Sequence, residues 1–438
     1  MRVKRKHGHP RLSRSFARCP EMTRGASSVA PRGITSGSRP PPPTRRRRDI
    51  VRRRPPLRAP TRPAIVVASS EEAARVTRAS KVAGPSPDVG GSLFVFGLGY
   101  VSLGLVSTLK RAGWRVGGTC RSADRAASLR SAGVEAFEWR PDDGKGLTRD
   151  GMNALMTATH VLNSVPPVGD FDEDPVLADE ACADALVAAA AASSPGKFPA
   201  NSRPRPAPAA GAAATLRWVG YLSSTGVYGD KGGGWVDEDT VPAPVSPKGV
   251  ARYAAEEAWR EMFDKHGVPV VVFRLGGIYG PGRSILDTVA KQAAATKANP
   301  GVGTESRSQR ARDSRKFTSR CHVGDIVAVL CADIAKVAEE AAVTAPPAAM
   351  RVYNVVDDEP APRAEAAAYA RRLLNIETDG EDAAAGTDAV DGKNAESTRG
   401  EKRVRNDKIK SELGVHLLYP TYREGLAAIA EGDKTPFE

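Results

Sequence analysis

The sequence predicts an α/β protein: a Rossmann-like, doubly wound parallel sheet. Three observations carry this. Short apolar runs such as Leu93 to Phe96 lack polar alternation, the mark of strands covered on both faces. These runs alternate along the chain with helical patterns. The first run stops at Gly97-Leu98-Gly99 and gives way to a helical pattern of Val101, Leu105 and Leu109. A strand, a glycine turn and a helix start make a phosphate-binding corner. Gly97 permits the turn and Gly99 presents no side chain to the phosphates. The helix start, Tyr100-Val101-Ser102, offers free N–H groups and the positive end of its dipole. Ser102 stands where a third glycine is usual.

The remaining elements follow in order. Trp114 to Thr119 reads as the second strand, with Gly113 closing the first helix. Ser122 is suited to cap a helix over Ala123 to Ala132. Glu135 to Trp139 and Thr159 to Val165 are the third and fourth strands, and Pro175 to Ala192 is a long Ala-rich helix. Residues 195–215 are Pro- and Ala-rich and read as a surface insertion. Trp218 to Ser224 is the fifth strand, Pro247 to Lys265 a charged helix ending at Gly267, and Val268 to Arg274 a further strand. Residues 298–315 and 377–398 read as two more insertions. Between and after them lie helices over Asp325 to Val337 and Pro362 to Leu374, and a strand over Tyr353 to Val356. Two short helices, joined through Tyr419-Pro420, close the chain.

Charge is distributed unevenly over the 438 residues, and this decides how the basic pI of about 9.6 is read. Residues 1–90 carry 22 of the 64 Lys and Arg but only 5 of the 51 Asp and Glu, leaving 42 basic against 46 acidic residues in the rest. The folded body is near neutral, which argues against a nucleic-acid partner for it. The tail is basic, Ser-rich and acid-poor, the composition of an organelle transit peptide; a plain basic arm is the alternative. Its proline content favours the chloroplast stroma over the mitochondrial matrix. The expected organisation is a disordered tail over 1–90, a dinucleotide-binding domain over 91–275, and a mixed segment over 276–438, which the family resemblance given below implies to form the substrate lobe and the last sheet strands.

The five cysteines are scattered without metal-ligand spacing, so no metal site is expected. No apolar stretch is long enough to span a bilayer, and no membrane partner is expected.

Arg121 ends the second strand, where a carboxylate would bind an adenosine ribose and mark NAD. A guanidinium there suits a 2′-phosphate, which favours NADP and leaves NAD as the alternative.

The sequence resembles the extended short-chain dehydrogenase/reductases, the NAD-dependent epimerase/dehydratases, in an atypical YeeZ-like branch. The matching stretches are GLGYVSLGLVSTLKRAGWRVGGTCRS at 97–122, VLNSVPP at 161–167, YLSSTGVYGDKGGGWVDE at 221–238 and VVVFRLGGIYGPGRS at 270–284. RCHVGDI at 320–326, YNVVDDEP at 353–360 and YPTYREGL at 419–426 also match. The resemblance implies a seven-stranded sheet binding NAD(P), with Gly97, Gly99, Tyr100, Val101, Ser102, Arg121 and Ser164 on the cofactor. It also implies a small-molecule substrate, sugar-nucleotide or otherwise anionic, and leaves room for a homodimer.

In active members a Ser or Thr orients the substrate hydroxyl, a Tyr is the acid/base, and a Lys four residues on holds the nicotinamide ribose. Carried over, Ser224 takes the Ser/Thr position, and Thr225, Arg283, Arg320 and His322 fall on the substrate side, with Arg274 near them. The Tyr-x-x-x-Lys pair is replaced: aligned on Glu256, Lys248 stands for the Tyr and Arg252 for the Lys. An arginine does not titrate near neutrality. Tyr228 or Tyr279 could approach from loops. The expected function is an NAD(P)-binding oxidoreductase, epimerase or dehydratase-like protein. A catalytically degenerate NADP(H)-binding sensor or scaffold is the alternative.

Overall fold

The computed structural model describes residues 91–167, 173–193, 216–298, 315–341, 349–376 and 400–438. The expected tail 1–90, the insertions over 195–215 and 377–398, and all but the two end residues of the insertion expected over 298–315 lie outside the described residues. The described chain belongs to one compact unit, Ala68–Glu438.

Its first half runs β1 (Ser92–Phe96), α1 (Tyr100–Arg111), β2 (Arg115–Cys120), α2 (Ala123–Ser131), β3 (Glu135–Glu138), α3 (Arg149–Met156) and β4 (His160–Asn163). Then come α4 (Pro175–Ala178), α5 (Glu180–Ser193), β5 (Trp218–Ser224), β6 (Trp235–Val236), α6 (Pro247–His266), β7 (Val270–Leu275) and β8 (Gly277–Tyr279). The last part holds α7 (Ile285–Ala298), β9 (Arg320–His322), α8 (Val323–Ala341), β10 (Arg351–Val355), α9 (Arg363–Leu373), β11 (Arg403–Val404), α10 (Asp407–Leu413) and α11 (Tyr422–Ala430).

Seven of these strands form a parallel sheet in the order β10-β7-β5-β4-β1-β2-β3. The strand order reverses between β1 and β4, which opens a crevice at their carboxyl ends. Successive side chains of a strand face opposite ways, and the two apolar cores divide accordingly. Leu93 and Val95 join a core with α1, α2, α8 and α10, while Phe94 and Phe96 join one with α3 to α6. Leu105 on α1 is fully buried, so Leu105→Ala would cost about 2–5 kcal/mol. A third cluster packs α7, α9 and α11 through Leu286, Ala370 and Leu426, forming the C-terminal lobe.

The helix expected over 175–192 is divided at Asp179. Asp174 caps the first piece by accepting from the amides of Val176 and Leu177. Asp179 accepts from the Cys182 amide at 3.2 Å and starts the second. Two small parallel pairs, β6 with β11 and β8 with β9, have no counterpart in the sequence reading; neither do α3 and α7.

Candidate cofactor and substrate sites

The glycine corner is held from below by β2. The Gly97 amide donates to Thr119 Oγ1 at 2.9 Å and the Leu98 amide to the Thr119 carbonyl at 2.7 Å. Gly97 sits at φ +87°, a conformation that favours glycine. Its carbonyl accepts from Ser102 Oγ at 2.7 Å and Ser164 Oγ at 2.6 Å. Ser102 thus replaces the third glycine without loss, because the corner's own carbonyl satisfies its buried hydroxyl. Ser164 secures the same carbonyl, so its hydroxyl acts on the corner's backbone. A Cβ added to Gly99 would meet nothing nearer than the Gly97 carbonyl at 3.9 Å. The space above the helix start is therefore a cradle that a side chain would fill. The first amides of α1 have no intrahelical partner. These features fit a dinucleotide diphosphate.

The Tyr100 side chain reaches away from the helix start. Its hydroxyl donates to the Pro281 carbonyl at 2.9 Å, and its ring lies under Arg283 and against Phe437. It fastens the loop after β8 over the corner. Burial pushes its pKa to about 12, so the phenol stays protonated. Arg121 is exposed at the end of β2, and its carbonyl accepts from Arg140 Nε at 2.7 Å. Arg125 and Arg140 are exposed beside it.

A cavity of about 390 Å³ lies beyond the carboxyl ends of β5 and β7. Ser224, Thr225, Lys248, Arg252 and Arg283, all singled out from the sequence, line it together with Lys402. Ser246 caps α6 by accepting from the Gly249 amide at 3.1 Å, and this puts Lys248 in the first turn and Arg252 one turn deeper. Arg252 Nη1 donates to the Leu222 carbonyl at 2.5 Å, anchoring the guanidinium beside β5. Ser224 Oγ accepts from the Gly226 amide at 3.1 Å and can still donate its proton.

Lys402 was missed in the sequence, where it follows an insertion and belongs to no motif. Its Nζ donates to the Gly229 carbonyl at 3.0 Å. Burial, with help from Arg315 and Lys231 and against Asp230, lowers its pKa to about 8. Its ammonium form is therefore less favoured than that of an exposed lysine.

No tyrosine stands among the cavity's described lining residues. Tyr228 is buried, with its hydroxyl donating to Asn354 Oδ1 at 2.8 Å and accepting from Arg274 Nη1 at 2.9 Å. The Tyr279 hydroxyl donates to the Thr421 carbonyl at 3.4 Å. Arg274, expected near the substrate, is instead 3% exposed and forms a forked pair with the carboxylate of Glu256 at 2.7–3.2 Å. Ser223 donates to that carboxylate at 2.5 Å. This network braces β5, α6 and β7 beneath the cavity.

His322 corrects the expectation of a substrate ligand. It is 1% exposed and wedged between the rings of Tyr419 and Tyr279, with Nδ1 accepting from the Gly324 amide. Burial lowers its pKa to about 4, leaving it neutral. Arg320 does reach solvent-accessible space, in a neighbouring cavity of about 520 Å³ lined also by Arg283, Arg363 and Tyr422. Its Nη1 donates to the Thr318 carbonyl at 3.1 Å and its guanidinium lies over the Tyr422 ring. The two cavities share Gly277, Ile278, Arg283, Arg315 and Thr318 as a common wall. Among the described residues no group of three or more His, Cys, Asp or Glu could hold a metal ion, and no helix is long and apolar enough to cross a membrane.

Seven parallel strands with a glycine corner at the switch point define a dinucleotide-binding α/β fold. Comparison with known proteins narrows this. Residues 206–354 match the NAD dependent epimerase/dehydratase family. Protein YeeZ of Escherichia coli (strain K12) is 27% identical over 191 residues, 43% of this chain and 59% of YeeZ. The chain thus spans 59% of the length of that curated relative. A solved protein of unknown function from Silicibacter pomeroyi is 34% identical, with a TM-score of 0.55 over 79% of this chain and 100% of its own. MoeE5, solved with UDP-glucuronic acid and NAD, shares the fold at 19% identity, with a TM-score of 0.53 over 78% of this chain and 98% of its own. The chain belongs to the NAD-dependent epimerase/dehydratase family, in a YeeZ-like branch.

Proposed function

We propose that this protein binds NAD(P) across the carboxyl edge of its sheet and acts as an oxidoreductase, epimerase or dehydratase on a small anionic substrate of the sugar-nucleotide kind. The observation that carries the reading is the adjacency of three features. These are a glycine corner with room for a diphosphate, a cavity walled by Ser224 and Arg252, and a second cavity walled by Arg283, Arg320 and Arg363.

The dinucleotide, when bound, supplies hydride exchange. Gly97, Gly99, Val101 and Ser102 would hold its diphosphate, and Arg252 a ribose hydroxyl. Arg121, with Arg125 and Arg140 close by in sequence and fold, supports a preference for NADP. Within the chain, Ser224 orients a substrate hydroxyl, and the arginines of the second cavity receive a diphosphate end. The proton relay differs from the family's. Lys248 and Lys402 replace the phenol, and Lys402 can hold or release a proton around pH 8. The composition of residues 1–90 supports an organellar address, checked by imaging a fluorescent fusion of that segment.

The lack of a tyrosine among the described residues of the cavity wall favours one second reading, a nucleotide-binding sensor without turnover. Thermal shift with NADPH and NADH tests the shared part, and no shift with either would overturn both readings. Consumption of NADPH across a panel of sugar nucleotides and carbonyl compounds supports the enzyme. Binding without consumption supports the sensor.

A further inference from the structure

The segment Asp433 to Phe437 follows α11 and packs against α1 and the first turn of α8. It forms neither helix nor strand, yet it is fastened at several points. The Asp433 carboxylate accepts from the Tyr419 hydroxyl and, at 2.8 Å, from the Thr435 amide. Thr435 rests on Gly324 and Pro436 on Gly104, where an added Cβ would meet them at 3.2 Å and 2.7 Å. Arg111, in the last turn of α1, donates to the Pro436 carbonyl at 3.0 Å. Pro436 is buried as a result.

This segment ends beside the glycine corner. The Phe437 and Tyr100 rings have their centroids 5.2 Å apart. Tyr100 is the first residue of α1, and the Arg283 guanidinium stands 5.5 Å from its ring centroid. Arg283 is exposed and lines both cavities. A free arginine side chain loses rotamer entropy when it grips a ligand, unless a neighbour already restrains it. The Tyr100 ring provides that restraint. Its own direction is fixed by Phe437 and by the bond from its hydroxyl to the Pro281 carbonyl.

We infer that Phe437 is a positioning residue: it holds the Tyr100 ring in place and, through that ring, sets Arg283 for the anionic end of the substrate. The inference rests on the proposed function, since it takes the cavity walled by Arg283, Arg320 and Arg363 as the seat of a diphosphate.

Calorimetric titration of the full chain with UDP tests it, with NADPH titrated in parallel. Phe437→Ala should weaken UDP about threefold, the worth of an exposed cation–π contact, and leave NADPH affinity unchanged. Phe437→Tyr should restore the parental affinity, because the position needs only a ring against Tyr100. Arg283→Ala should weaken UDP about tenfold, and adding Phe437→Ala to it should cost nothing more. Phe437 is only half-buried, so its truncation leaves the core intact, and retained NADPH binding reports on the fold and the corner together. Parental UDP affinity in Phe437→Ala overturns the inference. So do a Phe437→Tyr variant that stays weak and losses that add in the double variant, since a purely structural Phe437 would act independently of Arg283. A parallel loss of NADPH and UDP in Phe437→Ala overturns it as well. If the parent itself fails to bind UDP, the inference falls together with the diphosphate seat. A thermal shift with NADPH then shows separately whether the dinucleotide reading survives.

Discussion

Arg252 Nη1 donates to the main-chain carbonyl of Leu222 at 2.5 Å, so the residue standing for the family's lysine is fixed to the strand that carries Ser224. The longer, planar side chain spans from α6 to β5 and keeps part of its fork for a ligand. Arg252→Ala should weaken NADPH binding by about tenfold, the loss of one charge-assisted hydrogen bond, in a fluorescence titration. An unchanged affinity would show that the guanidinium serves only to brace β5.

Gly99 separates folding from binding. Its φ of −96° is open to any residue, and an added Cβ meets only open space. Gly99→Val should leave the urea midpoint within about 0.5 kcal/mol of the parent, the range of surface changes, while abolishing the thermal shift with NADPH. Retained NADPH binding would place the diphosphate elsewhere.

The buried pair of Glu256 and Arg274 makes the opposite prediction. Removing one partner strands a charge that is almost wholly withdrawn from water. Glu256→Ala should destabilise the protein by about 3–5 kcal/mol in urea, far more than replacement of both partners together by apolar residues. Additive losses in the double-mutant cycle would show that Tyr228, itself fixed by Asn354, holds the arginine without Glu256.

Elements whose signal is local were legible in the sequence. The Leu93–Phe96 run, its glycine turn and the start of α6 at Pro247 with its stop at Gly267 depend on neighbours in sequence, and the structure keeps them in place. Ser224, Lys248 and Arg252 meet in one cavity because they follow from those elements. The misreadings involve distant partners. His322 looks like a ligand beside Arg320 until Tyr279 and Tyr419 close around it from elsewhere in the chain. β11 is two residues long and pairs with Trp235–Val236 across a long sequence separation, so neither it nor the neighbouring Lys402 has any periodic signal.

Arg121 tests the choice between dinucleotides. It follows the end of β2, where its carbonyl accepts from Arg140 and Arg140 pairs with Glu138 at 3.3 Å. Arg121→Asp should weaken NADPH by about tenfold or more and leave NADH equal or tighter, since the new carboxylate repels a 2′-phosphate and accepts from a hydroxyl. Equal effects on the two dinucleotides in parallel titrations would remove the basis for an NADP preference.

Lys402 gives the pH dependence. Its pKa falls from the ordinary 10.5 to about 8 on folding, chiefly through burial, so the unfolded chain binds more protons between those values. Below pH 8 both states are charged and the full cost of burying the ammonium is present. As pH rises from about 8 towards 10.5 the folded state alone has lost the proton, and stability conferred by this group increases. Lys402→Met removes the titration, so the parent should gain on this variant across that window when urea midpoints are compared at steps of pH. Competitive acylation read by mass spectrometry offers an independent check, with Lys402 expected to label at half-maximal rate near pH 8. A midpoint near 10.5, or parallel stability curves for parent and variant, would mean that Lys402 stays an ordinary ammonium and cannot serve as the proton carrier of this cavity.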